Sequence, residues 1–262
     1  MQVRRRRTSG GQIPTVAVVV VVGAALLGIG VAWWLLRPSG ADEVPMPVAA
    51  PAAVDSSGPD TASAPSVPLP ALAESDGFVK DAVSVLSRHP GLASWMATDE
   101  LVHRFVGAVV DVAGGTSPTE NLDFLQPAGD FAVRESGSAT LISEASFARY
   151  DTFVETMESI GTADLVRLYR EFRPLFEEAF AELGIPNWTF QDTLDRAFEN
   201  VLSVTPPTGP LRVEMDRTNY VFVDPELEQQ SPLAKQLLRM GPDNLSRFQA
   251  KVREIRDGVL PR

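Results

Sequence analysis

The sequence predicts a mainly α-helical domain with a small antiparallel β element, an α+β fold, preceded by one transmembrane helix and a disordered linker. Three observations lead to this prediction: an uninterrupted apolar run near the N-terminus, a proline-rich stretch after it, and apolar residues that recur every three or four positions in much of the remaining chain. The boundaries follow from these changes in composition: a basic tail over 1–14, a membrane helix over 15–36, a linker over 37–70 and a folded domain over 71–262.

The apolar run from Thr15 to Leu36 is long enough to cross a membrane. It spans 22 residues without a charge, and a bilayer core of ~30 Å requires ~20 apolar residues in a helix. A cleavable signal peptide has an apolar core of only ~7–15 residues, so we interpret the run as a retained anchor. The arginines at 4–7 favour a cytoplasmic N-terminus, and Trp33 and Trp34 suit the opposite interface. We therefore expect a single-pass inner-membrane protein with a periplasmic C-terminal domain.

One face of the predicted membrane helix carries small residues. Ala24, Gly28 and Ala32 recur every four positions, and this spacing brings them to the same side of a helix. Small residues let two membrane helices approach closely, so this face predicts a homodimer through the membrane segment. The alternative reading is the ordinary abundance of alanine and glycine in such helices.

The stretch over 37–70 has the composition of a tether. It contains eight prolines, is otherwise rich in alanine, serine and aspartate, and has no aromatic residue. Such a segment buries too little apolar surface to offset the entropy lost on ordering. We expect an extended linker, which serves either as a spacer that lifts the domain off the membrane or as a passive connection.

Apolar spacing and capping signals place seven helices in the domain. The predicted helices cover 75–89, 98–113, 143–160, 162–184, 190–204, 232–240 and 242–257. Asp99 and Glu100 are expected in the first turn of the second helix. Pro174 is expected to kink the fourth helix, and Thr189 with Asp192 is expected to form a capping box at the start of the fifth.

Two stretches have the character of strands. Residues 131–135 and 139–142 flank a Ser-Gly-Ser turn and predict a β-hairpin, whereas 116–130 is predicted to be a loop. Residues 211–223 are the richest in strand-forming side chains. The β element is therefore predicted to be small beside the helices.

Four segments of the domain resemble a known family. They read LPALAESDGFV over 69–79, SWMATDELVHRFV over 94–106, LYREFRPLFEEAFAELG over 168–184 and LLRMGPDNLSRF over 237–248. Together they resemble the bacterial Domain of Unknown Function 3014 family over nearly all of 69–257. The resemblance implies an uncharacterised, membrane-anchored envelope protein, in agreement with the anchor predicted above. It implies no activity and no functional residue, because the family has no established activity.

Composition excludes several kinds of chemistry. The chain has no cysteine, which excludes disulfides, thiolate metal sites and cysteine nucleophiles. The two histidines, His89 and His103, are predicted to lie on different helices: His89 at a helix C-terminus, and His103 four residues after Asp99, in a surface pair. A formal charge of −11 opposes binding to nucleic acid. We therefore predict no metal site, no cofactor and no nucleic-acid partner.

No catalytic motif is recognisable, so no catalytic residue is predicted. The sequence contains no G-x-S-x-G elbow, S-x-x-K motif or phosphate-binding loop. Two carboxylates suffice for glycoside hydrolysis, and the domain is rich in acids, but sequence spacing does not reveal such a pair. Most of the acids alternate with arginine, as in Arg173 and Glu177, which is typical of a solvated helix surface.

Two tryptophans in predicted connections, Trp95 and Trp188, are the candidate binding residues. A tryptophan in a loop either fills the core or anchors a partner. Trp188 precedes the helix cap Thr189, and the residue against which it would normally pack is Thr193, a poor apolar partner. These observations predict a tethered interaction module of the cell envelope that binds another protein or an envelope polymer. The alternative is an envelope hydrolase that uses a carboxylate pair.

Overall fold

The computed structural model describes residues 68–260. The predicted tail 1–14, the membrane helix 15–36 with its small-residue face, and all but the last three residues of the linker 37–70 lie outside the described residues. In chain order the helices are α1 (Ser75–Ser84), α2 (Pro90–Trp95), α3 (Leu101–Ala113), α4 (Glu144–Ala148), α5 (Asp151–Ser159), α6 (Thr162–Glu182), α7 (Phe190–Leu202), α8 (Pro225–Glu228), α9 (Pro232–Leu238) and α10 (Pro242–Val259). The strands are β1 (Val133–Ser136), β2 (Ala139–Ile142), β3 (Arg212–Asp216) and β4 (Asn219–Phe222). The prediction of a mainly helical α+β domain is thus confirmed.

The long helices α3, α6, α7 and α10 form the centre of the domain. Helix α6 buries an apolar stripe at three- and four-residue spacing, which includes Leu165, Phe172 and Phe176. It packs against α3 and α10, and α3 packs along most of α7. Because these helices all turn an apolar face inward, they enclose one continuous hydrophobic core. Within residues 68–260, none of the helices combines the length and apolar character needed to span a bilayer.

The two predicted β segments join into a single sheet. Each folds into a hairpin, and β2 pairs with β3, which gives a four-stranded antiparallel sheet in the order β1-β2-β3-β4. One face of the sheet packs against α9 through a small cluster that contains Val213, Phe222 and Leu238. The sequence predicts both β segments but not their union, because the pairing of β2 with β3 joins residues about 70 positions apart.

Helix α3 begins later than the sequence predicts. Glu100 adopts a left-handed conformation with φ of 59°, so Asp99 and Glu100 precede the helix instead of forming its first turn. The cap comes from a distant residue: the carboxylate of Asp76 accepts hydrogen bonds from the N–H groups of Glu100 (2.6 Å) and Leu101 (2.9 Å). A carboxylate placed in this way satisfies free N–H groups of the helix start. Local sequence therefore does not fix this boundary.

The single helix predicted over 143–160 is broken into α4 and α5. The hydroxyl of Ser146 in α4 accepts from the N–H of Ala132 and donates to its carbonyl, both at 2.7 Å. Helix α5 instead packs against α10. Between them Tyr150 is buried, and its hydroxyl accepts from the side chain of Gln236 at 2.8 Å. The break at Tyr150 lets one segment reach the sheet and the other reach the helical core.

Candidate functional site

The turn between α6 and α7 places apolar side chains in solvent. Leu183 and Trp188 are 50% and 47% exposed, although both are large and apolar. Pro186 is also exposed, whereas Ile185 packs against the core and holds the turn to the domain. We call Leu183, Pro186 and Trp188 the helical tip. It is the only place in residues 68–260 where two large, exposed apolar side chains share one connection.

The backbone of this turn is held at both ends. Gly184 and Asn187 adopt positive φ angles, each 63°, and the N–H of Gly184 donates to the carbonyl of Ala181. A left-handed residue after a helix is a common way to end it, and glycine takes this conformation without strain. Asn187 is one of the few other residue types that tolerate it. The turn is therefore defined by its backbone and by the packing of Ile185, and not by burial of Leu183 or Trp188.

The predicted capping box is present and anchors the second half of the turn. The hydroxyl of Thr189 accepts from the N–H of Asp192 at 3.1 Å, and the carboxylate of Asp192 accepts from the N–H of Thr189 at 3.1 Å. The Thr189 hydroxyl, and then its N–H, lower the pKa of Asp192. The box fixes the direction in which α7 leaves the turn, and with it the position of Trp188.

Trp188 is exposed because its usual packing partner is polar and engaged elsewhere. A residue before the cap normally packs against the fourth residue of the helix. Here that residue is Thr193, which is buried and donates its hydroxyl to the carbonyl of Thr189 at 2.9 Å. Trp188 is therefore partly exposed to solvent. This exposure fits the alternative in which a loop tryptophan anchors a partner.

A polar contact between α3 and α6 lies beside the tip. His103 on α3 contacts Glu182 at the end of α6, with 2.9 Å between Nε2 and Oε2. The prediction that His103 pairs with Asp99 is wrong, because Asp99 lies outside the helix and pairs with Lys80. Further along α6 the predicted pair of Arg173 and Glu177 is present at 2.6 Å. The contact between His103 and Glu182 ties the end of α6 to α3, whereas the pair of Arg173 and Glu177 lies within α6.

Trp95, the other candidate, lies in the core. It ends α2, is 5% exposed, and its ring centroid lies 5.8 Å from that of Phe153. This geometry fits the alternative in which a loop tryptophan fills the core. The structure therefore does not bring Trp95 and Trp188 together in one site.

His89 is part of the packing around α2. The prediction of a helix C-terminus at His89 is wrong: Pro90 occupies the first position of α2, so His89 is its N-cap. Its Nδ1 accepts from the N–H of Gly91 at 3.2 Å and lies 2.8 Å from the hydroxyl of the buried Thr156. Among residues 68–260, no group of three or more histidine, aspartate or glutamate side chains is placed to hold a metal ion.

Asp111 is the one described carboxyl group whose pKa is raised. Burial is the main cause, and the neighbouring Glu120 adds to the effect, whereas a hydrogen bond from Asn121 opposes it. The amide of Asn121 donates to Asp111 at 2.8 Å, and its side chain packs against Gly107, where an added Cβ would lie 2.7 Å from Oδ1. Asp111 therefore fastens the loop after α3 to the helix.

A polar cavity lies at the junction of α3, α7 and α9. Its volume is about 240 Å³, and its polar lining includes Arg196, Asn200, Ser203, Gln230 and Ser231. No local pattern in the sequence signals this site, because the lining residues come from three separate segments of the chain. Sequence reasoning consequently missed it.

Comparison with known families gives one match. A family model described as "Protein of unknown function (DUF3014)" matches residues 101–256, which is more than half of the chain. The match runs from the start of α3 into α10, so it includes the helical tip and the cavity. No curated protein and no solved structure matches the chain.

Proposed function

This chain belongs to the DUF3014 family, and from that premise we propose that it is a tethered interaction module of the cell envelope, which binds another envelope protein or polymer through the helical tip. The observation that carries the proposal is the exposure of Trp188 and Leu183 on a turn with a defined backbone. Tryptophan is highly buried on average, so an indole that is 47% exposed calls for a reason beyond packing.

The geometry of the tip suits a binding contact. Tryptophan supplies a large contact area with few rotatable bonds, and it is enriched among the residues that dominate binding energy. The capping box and the left-handed Asn187 fix the backbone before a partner arrives. A prearranged contact loses less conformational entropy on binding. These properties support the tip as the contact surface.

The tether is part of the proposal and rests on the sequence. Residues 15–36 would anchor the chain, residues 37–70 would act as the spacer, and the N-terminal arginines would orient the domain toward the periplasm. The face formed by Ala24, Gly28 and Ala32 would pair two copies in the membrane. In this arrangement each domain can search for a partner at some distance from the bilayer.

Capture of a partner tests the role of the tip. The tagged full-length protein is crosslinked in membranes, and its partners are compared between wild type and Trp188→Ala. We expect capture to fall by about tenfold or more, since a central tryptophan contributes ~2 kcal/mol or more to an interface. Leu183→Ser should lower capture as well. Val85→Ser is the matched control, because Val85 is 59% exposed at the end of α1. Equal capture by all four proteins would rule out the tip.

The orientation has a separate test. An alkaline phosphatase reporter fused after Arg262 should be active, because that enzyme requires the periplasm. A fluorophore that matures only in the cytoplasm should be dark in the same position. The opposite pattern would refute both the periplasmic location and the tether.

The alternative function, an envelope hydrolase with a carboxylate pair, has one observation in its favour. Asp111 is half-buried with a raised pKa and lies near Glu120, as a general acid beside a second carboxylate would. Its hydrogen bond to Asn121 explains it equally well as a loop anchor. An activity against a cell-wall polymer that disappears in Asp111→Asn and persists in Trp188→Ala would favour the hydrolase.

A further inference from the structure

The polar cavity between α3, α7 and α9 offers a ligand both a cation and neutral polar groups. None of its lining residues is acidic, although the chain as a whole carries a formal charge of −11. Arg196 lines it from α7, and the guanidinium group has no carboxylate partner among residues 68–260. Several other arginines of the domain do have such partners: Arg104, Arg167, Arg173, Arg247 and Arg256. The cavity therefore presents one positive charge that is in direct contact with no described carboxylate.

The neutral groups of the cavity are held in fixed positions. The amide nitrogen of Asn200 donates to the carbonyls of Val112 and Ala113, both at 2.9 Å, and so closes the end of α3. This leaves Oδ1 of Asn200 without a hydrogen-bond donor among the described residues. The hydroxyl of Ser231 accepts from the N–H of Ala234 at 3.1 Å, so its own proton remains available. One fixed acceptor and one fixed donor accompany the guanidinium group.

The walls of the cavity are close together where the end of α3 meets the start of α9. Gly115 adopts φ of 71°, and a Cβ at this position would lie 3.4 Å from Cβ of Ser231. The carbonyl of Gly115 accepts from the N–H of Leu233 at 3.1 Å, which attaches the start of α9 to the end of α3. A volume of about 240 Å³ is below the ~300–1,000 Å³ typical of sites for drug-sized ligands. The occupant is therefore a small group or the end of a chain.

We propose that this cavity binds the carboxyl terminus of a peptide whose last side chain is small. The planar guanidinium of Arg196 matches a carboxylate in two parallel hydrogen bonds. A single cation balances the single charge of a carboxylate. The free acceptor on Asn200 can accept a hydrogen bond from the last peptide N–H, a donor that sulfate or chloride at neutral pH lacks. The proposal uses none of the residues of the helical tip and stands independently of the proposed function.

The test uses the full-length protein in detergent micelles and two matched probes. N-acetyl-alanyl-alanine has the carboxylate, and in its C-terminal amide a neutral CONH2 group of similar size replaces it. We expect calorimetry or NMR titration to detect the acid and to show at least tenfold weaker binding of the amide, because hydrogen bonds to charged groups are the strong ones. Arg196→Gln should weaken binding of the acid probe by at least tenfold. Arg253→Gln, an exposed arginine on α10, should bind like wild type.

Three results would overturn the proposal: equal binding of acid and amide, unchanged binding by Arg196→Gln, or no binding of either probe by wild type at millimolar concentration. Arg196 is exposed, so its replacement leaves the core intact, and a thermal melt of each variant verifies this. Loss of partner capture in Trp188→Ala with normal probe binding would show that the two sites act separately.

Discussion

Trp95 and Trp188 both lie at connections between helices, yet their environments are opposite. Trp95 ends α2, and α2 packs against α5, so the indole points into a core that already contains Phe153. Trp188 lies between the ends of α6 and α7 and is 47% exposed. The comparison shows that a tryptophan between two helices is buried when a neighbouring helix packs against its side chain, and is exposed when none does. A buried one contributes stability, and an exposed one is free to contact a partner.

The largest change in unfolding free energy is expected at Trp95, the buried one of the two tryptophans. Trp95→Ala should destabilise the domain by ~3–5 kcal/mol, because it empties a core site that cannot fully collapse. Equilibrium unfolding in denaturant, followed by circular dichroism, measures the change. Trp95→Phe is the control and should cost much less, since it keeps a ring beside Phe153. A change in unfolding free energy below ~1 kcal/mol for Trp95→Ala would contradict the packing of Trp95 in the core beside α2.

A smaller loss is expected from crowding the start of α2. A Cβ on Gly91 would lie 2.1 Å from the hydroxyl oxygen of Thr156, which is itself fully buried. Gly91→Ala should therefore cost ~1–3 kcal/mol, as overpacking does. Gly77→Ala in α1 is the matched control, because nothing lies within 4 Å of its added Cβ. It should stabilise by up to ~1 kcal/mol through helix propensity. Equal effects of the two replacements in the same unfolding assay would contradict this packing.

At the exposed tip, the capping box should contribute ~0.5–2 kcal/mol, measured as the destabilisation of Thr189→Ala. The contribution should also depend on pH. The pKa of Asp192 is lowered below its ordinary value of 3.8 by Thr189, so its effect is fully present above that pH and disappears as the pH falls through the lowered value. Unfolding curves of wild type and Asp192→Asn should therefore converge in acid. A difference that is independent of pH would exclude the carboxylate as the cause.

The sequence predicts well those features that local patterns decide. The stripe of α6, the hairpin turn at Gly137 and the box of Thr189 and Asp192 each depend on residues within one element. It fails where a distant residue intervenes, as when Asp76 caps α3.

The same distinction applies to the candidate sites. The polar Thr193 predicts that Trp188 lacks its usual packing partner, but it does not predict whether the side chain is exposed. The burial of Trp95 can be predicted only when it is known that α2 packs against α5. The cavity beside Arg196 is unpredictable, since α3, α7 and α9 must first assemble. Long-range packing, and not composition, decides these outcomes.

The unfolding free energy of Trp188→Ala tests the central claim most directly. If Trp188 is a surface residue that serves a partner, its loss should change stability by less than ~1 kcal/mol, as ordinary surface substitutions do. The measurement uses the same denaturant assay as Trp95→Ala, so that the two tryptophans are compared under identical conditions. A loss of ~3–5 kcal/mol, typical of an emptied core site, would show that Trp188 is a packing residue and would contradict the assignment of the helical tip as a contact surface.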